Sequence, residues 1–276
     1  MKEAGVQLLR IILLTLLIGS LVGLGLLGPW GIITGASIAG LVVLIWYNAA
    51  TDFVLNRIGA RRLTEASASN SIQRMFLGDA YKLVQAAGLP RNAFYIVDTP
   101  LPIAFSIGSA RSGGRVVVTT GLFRVLSRLE ISAVIGHELG HIKAGERLAT
   151  AMEISLSILF SATGLRAVTR VLSFGLLNPA EPTITRMSLR SLGPDTRADA
   201  FAVSLCKDVS ILASALNKLE RGVRSAHWDV MEGVPAIAKL AVVNPRHALV
   251  GAHTPEESPM AHRVAEIRRL VLPKAA

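Results

Sequence analysis

One cysteine, Cys206, leaves a chain of 276 residues without an internal disulfide, so covalent cross-links cannot hold the fold and a reducing compartment suits it. Its ordinary role is that of a small buried hydrophobe. Aromatic residues make up only 5%, too few to interleave with cations as a nucleic-acid surface requires. The net charge of +10 comes from Lys and Arg spread along the whole chain. Nucleic acid is therefore excluded as a partner, and an anionic lipid surface accounts for the same charge. Charge itself is missing from one long stretch, the 41 residues from Ile11 to Thr51. A single helix of that length would run about 60 Å, roughly twice the hydrocarbon core of a bilayer. Gly28, Pro29 and Gly31 in "GLLGPWGIITG" interrupt it, which predicts two helices, Ile11 to Leu27 and Ile32 to Tyr47, folded as a transmembrane hairpin.

A signal-peptide pattern is also lacking. Lys2 and Arg10 resemble a basic leader, but the apolar core of such a peptide is about 7–15 residues, far shorter than this run. Lys2 and Arg10 precede the hairpin, Arg57, Arg61 and Arg62 follow it, and the turn between has no cation. Both ends therefore face the cytoplasm. A mean hydropathy of +0.49 with 51% apolar residues agrees with a membrane anchor, residues 1–52, joined to one domain, residues 53–276.

Beyond the anchor there is no internal repeat and no low-complexity tract. The small polar run "TEASASN", Thr64 to Asn70, reads as a loop entering an amphipathic helix in which Ile72, Phe76, Ala80, Leu83 and Ala87 recur at helical spacing. Gly88 and Pro90 stop that helix. Three short strands follow, "AFYIVD", "IAFSI" and "RVVVTT", so a small sheet precedes the most informative segment.

That segment is "VIGHELGHIKAGER", Val134 to Arg147. From composition alone, HExxH arises about once in two hundred random chains of this kind. Ser127 with Glu130 forms a capping box and Gly145 a C-cap, so Arg128 to Ala144 is predicted helical. His137 and His141 then lie one turn apart on one face, where both imidazoles reach one zinc ion. Glu138 stands beside that face, placed as the general base that takes a proton from water. A zinc site of this kind needs three protein ligands. HExxHxxGxxH is excluded because Arg147 stands where the third histidine belongs. In "GPDTRADAFAV", Asp195 and Asp199 are four apart on one helical face, Asp195 as the third ligand and Asp199 bonded to a ligand imidazole. Two alternatives stay open for the third position. Asp195, after Gly193 and Pro194, can instead serve only as an N-cap, and Glu181 is another available carboxylate, with Asp195 as ligand the favoured reading.

With these motifs in place the chain resembles the HtpX-type membrane zinc metalloproteases, a group that includes the CAAX prenyl proteases. The resemblance covers the hairpin, "PIAFSIG", "VVVTTGLF", "HELGH" and "DTRADAFA". Asp195 stands where the family has Glu, and Ile103 where it has Asn. The resemblance implies a zincin-like α+β domain, mainly helical, with one zinc per chain. It implies ligands His137, His141 and Asp195, with Glu138 as base. "AHTPEESPMAHRVAEIRRL" resembles the family's His-Pro-Pro segment and following arginine helix. Arg263 matches that arginine, and His253 and Glu257 compete for the histidine's place, so Arg263 and His253 become candidates for contact with the transition state or substrate. The family commonly has a second membrane hairpin after HExxH. Here the hydrophobic insert at about 148–180 carries Glu153, Arg166 and Arg170, and its longest charge-free run is Ile154 to Leu165, too short to span. A helical pair that packs on the domain or dips into the bilayer is expected.

The resulting expectation is a multi-pass protein of the inner cell membrane with a cytoplasmic zinc endopeptidase domain. Its partners are the bilayer and misfolded or membrane-protein substrates in quality control. An extended substrate would pair with the edge strand at Ile103, Ala104 and Phe105. The rival expectation is an inactive membrane adaptor that keeps the fold and binds protein partners.

Overall fold

Charge-free sequence ends before the helices do. In the computed structural model, which describes residues 2–90, 92–111, 113–145, 147–162, 192–225, 240–243 and 259–269, α1 runs Lys2–Leu27 and α2 runs Pro29–Arg57. Both exceed the apolar limits expected from sequence, because a charged side chain at the end of a helix leaves the backbone ladder intact. Pro29 does not end a helix but begins one, since its missing N–H falls in the first turn where no carbonyl partner is needed. Gly28 between them has φ 64. The two helix backbones touch through glycines: a Cβ on Gly31 would lie 1.8 Å from the Gly23 carbonyl oxygen, and one on Gly35 2.1 Å from that of Gly19. Small residues allow this approach in apolar helices. Leu13, Leu17, Leu21, Ile33, Ile38 and Leu41 are exposed. By length and composition α2 can cross a membrane, whereas the apolar part of α1, Ile12–Leu27, is shorter.

The chain divides into two compact units, Met1–Asn56 with Leu148–Pro182, and Arg57–Arg147 with Thr183–Ala276. Of the insert, only helix α6, Arg147–Ala162, is described; the second half of the expected helical pair lies outside the described residues.

The second unit is built on a four-stranded sheet. The three expected strands form β2 (Ala93–Val97), β3 (Ala104–Ile107) and β4 (Arg115–Thr119). A further one, β1 (Arg61–Leu63), pairs antiparallel with β2. "RRL" shows no alternation long enough to be read as a strand, and only pairing with β2 makes it one. The order is β1-β2-β4-β3, with β2 parallel and β3 antiparallel to β4, which leaves β3 at an edge. Helix α3 (Ser71–Ala86) starts where Asn70 accepts the Gln73 N–H at 2.8 Å and places Phe76 edge-on to Phe94 of β2, centroids 5.7 Å apart.

Short α4 (Thr120–Val125) leads to α5 (Arg128–Ala144), whose limits match the sequence expectation. From Glu130 to Ile142, α5 is buried on nearly every side, as expected for a helix with apolar residues all round. Val134, Ile135, Leu139 and Ile142 share one core with Val116 and Val118. Helix α7 (Leu192–Cys206), amphipathic α8 (Val209–Ser225) and α9 (Pro259–Arg269) complete the described elements. Leu212, Leu216 and Leu219 of α8 and Val264 and Ile267 of α9 join that core.

Candidate metal centre

The local structure of α5 sets the site. Ser127 Oγ accepts the Glu130 N–H, and Glu130 Oε2 accepts the Ser127 N–H at 2.8 Å, satisfying two donors that a helix start leaves open. Glu130 also accepts from Ser214 Oγ at 2.6 Å and Lys218 Nζ at 2.9 Å, fastening the start of α5 to α8. At the other end Gly145 takes φ 71 and its N–H caps the carbonyls of His141 and Ile142. One helical turn inside this frame, His137 and His141 are both buried, their rings edge to face and their Nε2 atoms 3.1 Å apart.

Asp195 comes to them from α7. The helices cross where Gly136 and Gly140 of α5 meet Ala202 and Ala198; a Cβ on Gly140 would lie 3.0 Å from the Ala198 Cα. This close crossing is what an aspartate, one methylene shorter than Glu, would need in order to reach a metal beside the two histidines. Asp195 lies inside the helix, three residues after Leu192, so its side chain is not spent as an N-cap. Its Oδ1 lies 3.3 Å from His141 Nε2. Among the described residues His137, His141 and Asp195 are one group with ligand atoms all within 4.8 Å of one another. In a tetrahedral zinc site with bonds of about 2.0–2.1 Å, adjacent ligand atoms stand about 3.3 Å apart. The separations of 3.1 Å between the two Nε2 atoms and 3.3 Å from Asp195 to His141 fit that edge. Glu181 lies outside the described residues.

Asp199, one turn beyond Asp195, is fully buried. Its Oδ1 sits 2.7 Å from His137 Nδ1, which places the imidazole proton on Nδ1 and leaves the Nε2 lone pair for a metal. Burial lowers the pKa of His137 further than Asp199 raises it, and Arg263 lowers it again, so the neutral, metal-binding form is favoured. Arg263 on α9 is itself buried and donates Nε and Nη2 to the two oxygens of Asp199, each at 2.7 Å, and Nη1 to the Val242 carbonyl at 2.8 Å. Burial alone would raise the Asp199 pKa, but the Arg263 cation and His137 hold it at about 2. Against the same burial effect, Arg263 and the two histidines hold Asp195 well below the usual carboxylate range. Arg263 Nη2 also lies 3.1 Å from His137 Nδ1 and 3.3 Å from its Nε2, so the guanidinium packs against the His137 ring. His253 and Glu257 lie outside the described residues.

Glu138 is wholly buried; Ser106 Oγ on β3 donates to its Oε2, while Oε1 has no hydrogen-bond partner among the described residues. Ile103 stands just before β3; its N–H donates to Thr119 Oγ1 and its carbonyl accepts the Thr119 N–H. In an antiparallel ladder the next residue turns its polar groups the other way. The Ala104 carbonyl accordingly faces the outer edge, where it accepts the Val242 N–H at 3.1 Å. Phe105 is buried.

The model of peptidase family M48 matches residues 66–268, a span that contains every side chain of this cluster. The chain belongs to peptidase family M48. It is 30% identical to the "Protease HtpX homolog" of Pyrococcus furiosus over 95% of this chain and 94% of that protein, which makes it an M48 protease of the HtpX type. M48 enzymes are metallopeptidases, and the M48 match begins after α1 and α2. Sequence reasoning missed two residues of this M48 site. Ser106 left a faint signal, a hydroxyl within the otherwise apolar "IAFSI". Val242 left none, because it acts through its backbone.

Proposed function

We propose that this protein is a membrane-anchored, zinc-dependent endopeptidase. The observation that carries the reading is the charge of the cluster. Among the described residues the cluster brings three acidic side chains, Glu138, Asp195 and Asp199, together with one cationic side chain, Arg263, an imbalance of the kind that one divalent ion offsets. His137 Nε2, His141 Nε2 and Asp195 would hold that zinc, and Asp195, one third exposed, stands on the open side. Bound zinc would polarise the scissile carbonyl and lower the pKa of the attacking water.

The chain's own residues do the rest. Glu138 takes the proton from water as the new C–O bond forms, then gives it to the leaving nitrogen as the C–N bond breaks. Asp199 holds the tautomer of His137, and Arg263 offsets the charge of Asp199. An extended substrate pairs with the outer edge of β3, beginning beyond the Ala104 carbonyl that Val242 occupies. The fold is zincin-like, with α1 and α2 as a transmembrane hairpin, both ends in the cytoplasm, in the inner membrane. The substrates are unfolded or membrane proteins, since backbone pairing tolerates varied sequence.

Metal analysis of the detergent-purified protein tests the reading, with about one zinc per chain expected. Glu138→Gln should keep that zinc while casein cleavage falls by about 10²–10⁴-fold. No zinc after supplementation would favour the non-enzymatic adaptor.

A further inference from the structure

The proposed proton transfer needs one oxygen of Glu138 held in place and free, and the sheet rather than the metal helix provides this. We propose that Ser106 is a positioning residue for Glu138, its hydroxyl pinning Oε2 so that Oε1 alone faces the reaction. The inference rests on the endopeptidase reading above.

Ser106 lies on β3, two residues from Ala104, so both side chains project to the same face of the sheet. Its side chain has no exposure at all, so water cannot replace the contact it makes. A hydroxyl has a single proton, and here that proton goes to Oε2 of Glu138. The last torsion of a glutamate is soft and nearly two-fold. Without a donor the carboxylate plane would turn and its two oxygens would exchange. With one oxygen held, the other is left buried and without a hydrogen-bond partner among the described residues. Such an atom is unfavourable in a folded protein unless a ligand or reactant engages it. Ser106 also links the two halves of the site, because the strand that carries it is the proposed substrate edge.

The test compares Ser106→Ala, Ser106→Thr and Ser106→Val in the full-length, zinc-loaded protein with a fluorogenic peptide. Loss of a hydrogen bond to a charged group corresponds to about 10–100-fold, and this should fall on kcat, with KM and zinc content unchanged for Ser106→Ala. Threonine and valine add the same methyl and differ by the hydroxyl, so Ser106→Thr should exceed Ser106→Val in kcat by about 10-fold. In the Glu138→Gln background Ser106→Ala should have no further effect. A second readout needs no activity. In metal-free protein Ser106→Ala should lower the thermal midpoint when Glu138 is present and leave it unchanged when Glu138→Ala has removed the carboxylate. Equal kcat for wild type and Ser106→Ala, equal rates for the threonine and valine variants, or additive midpoints would overturn the role of Ser106. A zinc-loaded wild type that cleaves nothing would instead overturn the endopeptidase reading, and the metal-free midpoints would still decide whether Ser106 and Glu138 are coupled.

Discussion

Gly140→Ala tests the idea that a tight helix crossing lets an aspartate do the work of a longer ligand. The added Cβ would lie 3.0 Å from the Ala198 Cα and 3.3 Å from both its Cβ and its carbonyl oxygen. Comfortable carbon contacts are about 3.5–4.0 Å, and the obstacle is backbone, so α7 must retreat by roughly 0.5–1 Å. Asp195 lies three residues before Ala198 on the same face. Its Oδ1, now 3.3 Å from His141 Nε2, would retreat with it. Overpacking costs about 1–3 kcal/mol, while removing a glycine from a helix interior returns about 1 kcal/mol. The net loss of stability should therefore be at most about 2 kcal/mol. Metal affinity should suffer more, with zinc Kd rising about 10–100-fold, as for other disturbances just outside the ligand atoms. Competition against a chromogenic chelator measures this. Gly136→Ala, where the nearest atom is at 3.3 Å, should weaken binding less. Asp195→Glu in the Gly140→Ala background should restore most of the affinity, because the added methylene spans the new gap. Wild-type affinity for Gly140→Ala, or no recovery with Asp195→Glu, would refute the spacing argument.

Other outcomes follow from the same geometry. Asp199→Asn removes the charge that fixes the His137 tautomer and leaves Arg263 without its buried partner; zinc affinity should drop about 10–100-fold, read by the same chelator assay. Glu130, whose pKa burial would raise, is held at about 2 against an ordinary 4.5 by Lys218, Ser214 and Ser127. Its stabilisation is complete above pH about 4.5 and lost as pH falls toward 2, with an upper bound of about 3 kcal/mol. Glu130→Gln should therefore destabilise the protein at pH 7 by about 1–3 kcal/mol and flatten its unfolding midpoint between pH 4.5 and 2, measured by circular dichroism. Reporter fusions after Arg62 and at Ala276 should both report cytoplasm; an external signal at either position would break the proposed topology.

Where information is local, the sequence sufficed. Both ends of α5 follow from Ser127, Glu130 and Gly145, because capping is decided within four residues. The pairing of His137 with His141 and the separate placing of Glu138 follow from helical periodicity. The three strands expected before α5 could be read from apolar runs bounded by turn residues. Hydropathy, by contrast, located the apolar parts of α1 and α2 but not their ends, since backbone hydrogen bonding continues through Lys2, Arg10 and Arg57.

Other features required contacts between distant segments. Nothing within "RRL" marks a strand until β2 lies alongside it. Sequence could not choose between Asp195 as ligand and as cap, because the choice depends on how closely α7 approaches α5, and Gly140 and Ala198 are 58 positions apart. Arg263, Asp199 and His137 form one buried hydrogen-bonded group although they come from three helices, and Val242 joins it only through its carbonyl. Residue types and helical phase thus determined which side chains could serve this M48 site. Tertiary packing decided which residues of other helices join the histidine pair, because the 3.3 Å between Asp195 and His141 is set by the crossing of α7 and α5 and not by any spacing along the chain.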